Sequence, residues 1–158
     1  MVANAMVEDR IKGLSAASLR RIIEPDKEVV GAVGSEMVLP QELLSVWGLG
    51  LELSDEQWRK LAREELASIL DAGIRFESML MAGFGLMLGY YQDLTDPRVN
   101  YILHEIGEET RHSRLFARVI AQLEPTAENV FTRGPLCRLN RLISPRFSRY
   151  RLCFVSRC

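Results

Sequence analysis

No acidic residue and no lysine occurs in residues 132–158, which carry seven arginines (Arg133, Arg138, Arg141, Arg146, Arg149, Arg151 and Arg157). The net charge of −1 therefore conceals a body of 13 basic and 21 acidic residues, net −8, joined to a tail of +7. All three cysteines (Cys137, Cys153 and Cys158) fall in that tail without CxxC spacing, which argues against both a zinc site and a disulfide framework. The tail also lacks a sustained helical or strand period. So abrupt a change near residue 132 fits a frameshifted or otherwise truncated reading frame as well as it fits a basic interaction tail, and both readings stand. A basic tail can draw nucleic acid or a membrane surface. No aromatic-basic interleaving accompanies it, so neither is the expected partner.

A secretory signal is lacking too. Glu8 and Asp9 interrupt the N-terminus, and no apolar run reaches the roughly 7–15 residues a signal needs, so the expected location is cytoplasmic. The uncharged stretch at residues 78–91 is shorter than the ~18–20 residues of a membrane span and reads as a buried helix. There is no internal repeat and no low-complexity segment.

What is present is a chain of 158 residues, 47% hydrophobic, enough for one domain with a modest core. Residues 1–52 read as an irregular N-terminal segment with a short helix over residues 16–23. Pro25, Pro40, Gly31, Gly34, Gly48 and Gly50 break its second half, leaving at most a helical turn after Pro40. Ser54 and Gln57 then form a capping box, in which the hydroxyl takes a backbone N–H and the amide reaches back to the cap. A helix is expected from there to about Tyr91, with Gly73 marking a kink or close contact with a neighbour. Asp96 before Pro97 starts a second helix, because proline in the first turn has no N–H to leave unpaired. That helix should end at about Leu123, before Pro125. Two long helices joined by so short a turn pack antiparallel. The expected fold is thus all-α: a long-helix hairpin over residues 53–123, followed by the tail from residue 124.

The chemistry concentrates on that hairpin. Glu77 has as its helical neighbours Leu70, Gly73, Ile74, Leu80, Met81 and Phe84. A carboxylate on such a face must be matched by a metal, a cation such as Arg111, or a proton, since burying it bare costs roughly several kcal/mol. On the second helix, Glu109 and His112 form a Glu-x-x-His pair, whose side chains, about 300° apart around the axis, share one face. Glu77 lies ~25 Å and Glu109 ~23 Å from the turn at about 1.5 Å per residue, so they meet at one level. Two carboxylates and one imidazole suit iron, or manganese as the alternative, better than zinc or copper(I). Glu105 and Arg111 are candidates to brace these ligands, as is Arg114. His104 and Glu108 read as a surface ion pair. Phe76, Phe84, Met79, Met81 and Met87 read as core packing.

Read together, Leu-Ser-Asp-Glu-Gln-Trp at residues 53–58, Glu-Glu-Leu-Ala-Ser-Ile at 64–69, Gly-Ile-Arg-Phe-Glu at 73–77 and Glu-Ile-Gly-Glu-Glu-Thr-Arg-His-Ser at 105–113 resemble the p-aminobenzoate N-oxygenase family of diiron oxygenases. The likeness covers roughly residues 40–123. It implies half of a ferritin-like bundle, an iron cofactor held as a di-iron site, and dioxygen and a small organic substrate as reactants. By resemblance, Glu77 is the first-helix carboxylate, Glu109 a carboxylate able to bridge the irons, and His112 a terminal ligand. Family members are about twice as long, and their second helical pair supplies further Glu and His ligands. This chain has two histidines, His104 and His112, and no acid after Glu128. The expectation is a truncated oxygenase that requires a helical partner; alternatives are a homodimer sharing one di-metal site and a non-catalytic module using the Arg-rich tail.

Overall fold

Two local signals delimit the long helices. In the computed structural model, which describes residues 2–127 apart from residues 21 and 30, helix α3 spans Asp55–Tyr90 and helix α4 spans Pro97–Leu123. Both bonds of the expected capping box are made: Ser54 N–H donates to Gln57 Oε1 at 2.8 Å, and Gln57 N–H to Ser54 Oγ at 3.3 Å. The turn between the helices is tied by Asp93, whose carboxylate accepts from the Thr95 N–H and hydroxyl. Asp96 then accepts from the Arg98 N–H at 2.9 Å and pairs with the Arg98 guanidinium, which holds its carboxyl down at about 2. Removing this cap should cost about 1 kcal/mol. We expect Asp96→Ala to lower the unfolding free energy measured in urea by that amount, whereas Asp96→Asn, which still caps, loses much less.

The register of the hairpin is visible in its contacts. Phe116 lies against Gly73, His112 beside Glu77, and Thr110 beside Met81, so each step forward along α3 is a step back along α4, and the helices are antiparallel. Helix α3 is continuous through Gly73, where Phe116 packs against it, so Gly73 is a close-contact position. Among the described residues there is no strand, and no helix is long and apolar enough to cross a membrane.

The N-terminal segment differs from expectation. Helix α1 spans Val2–Ser18, earlier and longer than the helix expected over residues 16–23. Its run of helix-tolerant residues has no proline, while Ile22 and Ile23 are β-branched and stand just before Pro25, where helical conformation is disfavoured. Helix α1 packs on α4, as does the one-turn helix α2 at Pro25–Glu28. A 3-10 turn at Gln41–Leu43 follows Pro40, as expected, and Gly48 and Gly50 adopt positive φ (81° and 69°) before α3, a conformation that costs glycine little.

Polar bonds strap this segment along the C-terminal half of α4. Arg114 pairs with Glu24 and Asp26, Arg118 donates to the Pro25 carbonyl at 3.0 Å, and Gln122 accepts from the Val33 N–H. Arg63 ties the strap to the hairpin by donating to the carbonyls of Gly34 and Gln122 at 2.9 and 3.0 Å. Among the described residues, Leu44, Ala62, Ala67, Val99, Ile102 and Leu123 form the buried hydrophobic core. Phe76 and Met79, expected in the core, are 55% and 54% exposed, because they lie on the side of α3 turned away from α4. The Arg-rich tail and its cysteines lie outside the described residues.

Candidate metal centre

Helix α3 brings Glu77 to the α4 interface at a position where the surrounding turns are apolar, and the residue is only 9% exposed. Helix α4 presents Glu109 and His112 from one face, three residues apart, as helical geometry requires. The three side chains converge. His112 Nδ1 lies 3.1 Å from Glu109 Oε2 and 3.6 Å from Glu77 Oε1, and one potential ligand atom from each residue falls within 4.8 Å of the other two. Glu77 and Glu109 thus stand at one level of the hairpin. Nδ1 is the imidazole nitrogen turned toward both carboxylates.

The electrostatics of the trio are those of a site short of positive charge. Burial raises the Glu77 carboxyl above its ordinary value, and the neighbouring Glu109 carboxylate raises it further, against an opposing pull from His112. Two acidic side chains with exposures of 12% and 13% face one another, an arrangement that disfavours ionising both without a cation. His112, by contrast, is half exposed. The site is closed by protein on the α3 side and open beside the imidazole, where additional ligands have room to approach. Two carboxylate oxygens and one imidazole nitrogen, all within reach of one point, match the hard-oxygen, single-nitrogen donor set of iron or manganese, so the residues present fit the metal that the sequence resemblance implies.

The other charged residues of α4 are engaged elsewhere. Arg111 pairs with Glu108 at 2.6 Å, not with the Glu77 carboxylate. Glu108 therefore has Arg111 as its ion-pair partner in place of His104. Arg114 is committed to the strap through Glu24 and Asp26. Glu105 sits beside the Tyr101 hydroxyl and raises its pKa. The Thr110 hydroxyl donates to the Ile106 carbonyl at 2.7 Å and touches Met81 Sδ at 3.4 Å.

One neighbour of the site was not evident from sequence. The Phe116 ring stacks on the His112 imidazole with centroids 6.3 Å apart and planes inclined by 19°, and its edge lies over Gly73. The available signal was positional: Phe116 is one turn beyond His112, and Gly73 is one turn before Glu77.

No curated protein and no solved structure matches this chain. A family model does, that of P-aminobenzoate N-oxygenase AurF, over residues 4–155. That family implies an oxygenase of the diiron type, and the Glu77, Glu109 and His112 cluster provides a donor set of the corresponding kind on the hairpin. The chain belongs to the P-aminobenzoate N-oxygenase AurF family.

Proposed function

We propose that this chain contributes one half of a carboxylate-bridged di-iron centre for the dioxygen-dependent oxidation of a small organic substrate, and that a second helical pair completes the centre. The observation that carries this reading is the convergence of Glu77, Glu109 and His112 within 4.8 Å on two antiparallel helices. In carboxylate-bridged bundles, two helices each give a Glu and two others each give a Glu-x-x-His pair; the hairpin contains one of each kind.

Iron bound in such a centre supplies the activation of dioxygen. The chain's own residues prepare the place for it. Glu77 offers a carboxylate held in an apolar wall, where its charge is poorly solvated and a cation is correspondingly favoured. Glu109 lies within 4.8 Å of both Glu77 and His112 and is positioned to share an ion with either. His112 presents Nδ1 from the open side. Since Nδ1 lies within hydrogen-bond distance of Glu109 and Glu77 holds its proton above its ordinary value, uptake of a divalent cation displaces protons from the cluster and strengthens as pH rises.

The source of the second half is argued from α3. Ile69, Phe76, Met79, Leu86 and Tyr90 are exposed and recur at seven-, three-, seven- and four-residue steps, with Ala72 and Gly83 in the intervening places. This spacing is the seam of a helix that packs against another helix. The open side beside the half-exposed His112 favours a second reading, in which two copies of the hairpin pair with two-fold symmetry and share one di-metal site.

The test is iron per chain after anaerobic Fe(II) loading and desalting, measured on size-separated protein. We expect loading of up to about one iron per chain, since two irons are divided between two hairpins' worth of ligands, and its loss in His112→Ala. Iron found only in a dimer fraction supports the two-copy reading. Unchanged loading in His112→Ala sinks the ligand assignment, and a well-folded wild type that takes up no iron in any fraction counts against the half-site.

A further inference from the structure

We propose that Gly73 and Phe116 form a seat that holds the His112 imidazole in its metal-facing orientation, making Phe116 a positioning residue for the centre. The proposal rests on the metal-site reading above and adds to it a device that sets one ligand's geometry. The torsion that turns an imidazole about its own stem is broad and roughly two-fold. The Nδ1 contact with Glu109 at 3.1 Å chooses which edge of the ring faces the carboxylates, but nothing within His112 fixes the plane of the ring. The side chain is also half exposed, so general burial does not select it either. Among the described residues, the aromatic ring stacked on His112 is that of Phe116, with planes nearly parallel at 19° and 6.3 Å between centroids, within the range of offset stacking.

Phe116 is in turn located by Gly73. A Cβ at position 73 would lie 3.0 Å from Phe116 Cε2 and 3.1 Å from Cδ2, tighter than most carbon contacts, so the ring would have to give by a few tenths of an ångström. The ring occupies this place without adjustment because residue 73 has no side chain. Glycine inside a helix costs roughly 1 kcal/mol relative to alanine, and here the space it leaves is filled by the ring that braces a ligand. The contact joins the two helices one turn from Glu77 on α3 and one turn from His112 on α4, so a shift of the ring is transmitted to both sides of the site.

The experiment compares wild type, Gly73→Ala, Phe116→Leu and the double variant, each as the full chain, by cobalt(II) titration and by the imidazole signals in a proton-carbon correlation spectrum of the metal-free protein. With two histidines in the chain, His104 serves as the internal reference. Gly73→Ala should weaken cobalt binding by about tenfold, in the range seen when residues supporting a metal ligand are altered, and should move the His112 ring signals while leaving those of His104 in place. Phe116→Leu keeps apolar volume but removes the flat face, and should have a similar effect. In the double variant leucine gives way to the new Cβ, so its loss should match that of Phe116→Leu alone, a non-additivity expected of groups in contact. A merely structural role would change the melting temperature without this pattern. If Phe116→Leu leaves both the cobalt affinity and the His112 signals at wild-type values, the seat is overturned. If wild type binds no cobalt, the metal-site reading fails separately, and the seat is then decided by whether Phe116→Leu moves the His112 signals of the metal-free chain.

Discussion

Glu77→Gln should raise the thermal midpoint of the metal-free protein and, on the proposed reading, abolish iron loading. Glutamine keeps the shape of the side chain and a hydrogen-bonding end but carries no charge. The native carboxyl is 9% exposed, faces Glu109, and is raised above its ordinary value first by burial and then by that neighbour. Substitution removes both the desolvation of an anion and the repulsion between two acids. Gains of this origin are typically on the order of 1 kcal/mol, and residues kept for function at a cost in stability are where they are found. The pH dependence has a definite sign. A carboxyl with a raised folded-state pKa binds its proton more tightly folded than unfolded, so its contribution to stability is complete below the unfolded value of 4.5 and is lost as pH rises through the folded value. The advantage of Glu77→Gln should therefore be small at pH 4 and grow from about pH 4.5 upward. Melting curves in the presence of a chelator measure it. A variant less stable than wild type at neutral pH would show that the Glu77 charge is already compensated within the chain and needs no cation.

The parts of this molecule that could be read from sequence are those whose causes are local. The Ser54 and Gln57 box, the Asp93 to Asp96 turn and the Asp96-Pro97 start act within four residues, and α3 and α4 begin and end beside them. The meeting of Glu77 with Glu109 and His112 also needed only helix rise and a short turn. What escaped was set by choices between distant partners. Arg114 could serve a ligand carboxylate or the strap, and its bonds run to Glu24 and Asp26, some 90 residues away in sequence. Helix α1 was misplaced because its packing on α4 fixes a segment without a strong apolar stripe of its own. Periodicity shows which residues share a face but not whether that face is covered. Helix α3 has two apolar faces: Leu70, Gly73 and Phe84 follow the α4 side, while Phe76 and Met79 follow the other, and only the first has a helix against it among the described residues.

That second face leads to the other large effect: the isolated chain should associate with itself, and Phe76→Lys with Met79→Lys should abolish the association. Five large apolar side chains on one line of α3, from Ile69 to Tyr90, are 43 to 69% exposed. Contiguous apolar surface beyond a few hundred Å² is uncommon on soluble monomers and marks a contact with another molecule or segment. At about 1.5 Å per residue the line is ~32 Å long, enough for a helix-helix seam and centred near the level of Glu77. Lysine at two central positions places charges where a partner helix would exclude water, while neither residue lies on the α4 side of α3, so the hairpin itself should stay folded. Sedimentation velocity over a range of concentrations is the measurement. Wild type should shift to faster-sedimenting species as concentration rises, and the double-lysine variant should sediment as one chain with an unchanged circular dichroism spectrum. A wild type that remains a single-chain species throughout would mean that the seam is ordinary surface, and with it would go the argument that further helices belong on α3. If instead the variant becomes monomeric and loses its iron as well, iron binding depends on the paired state.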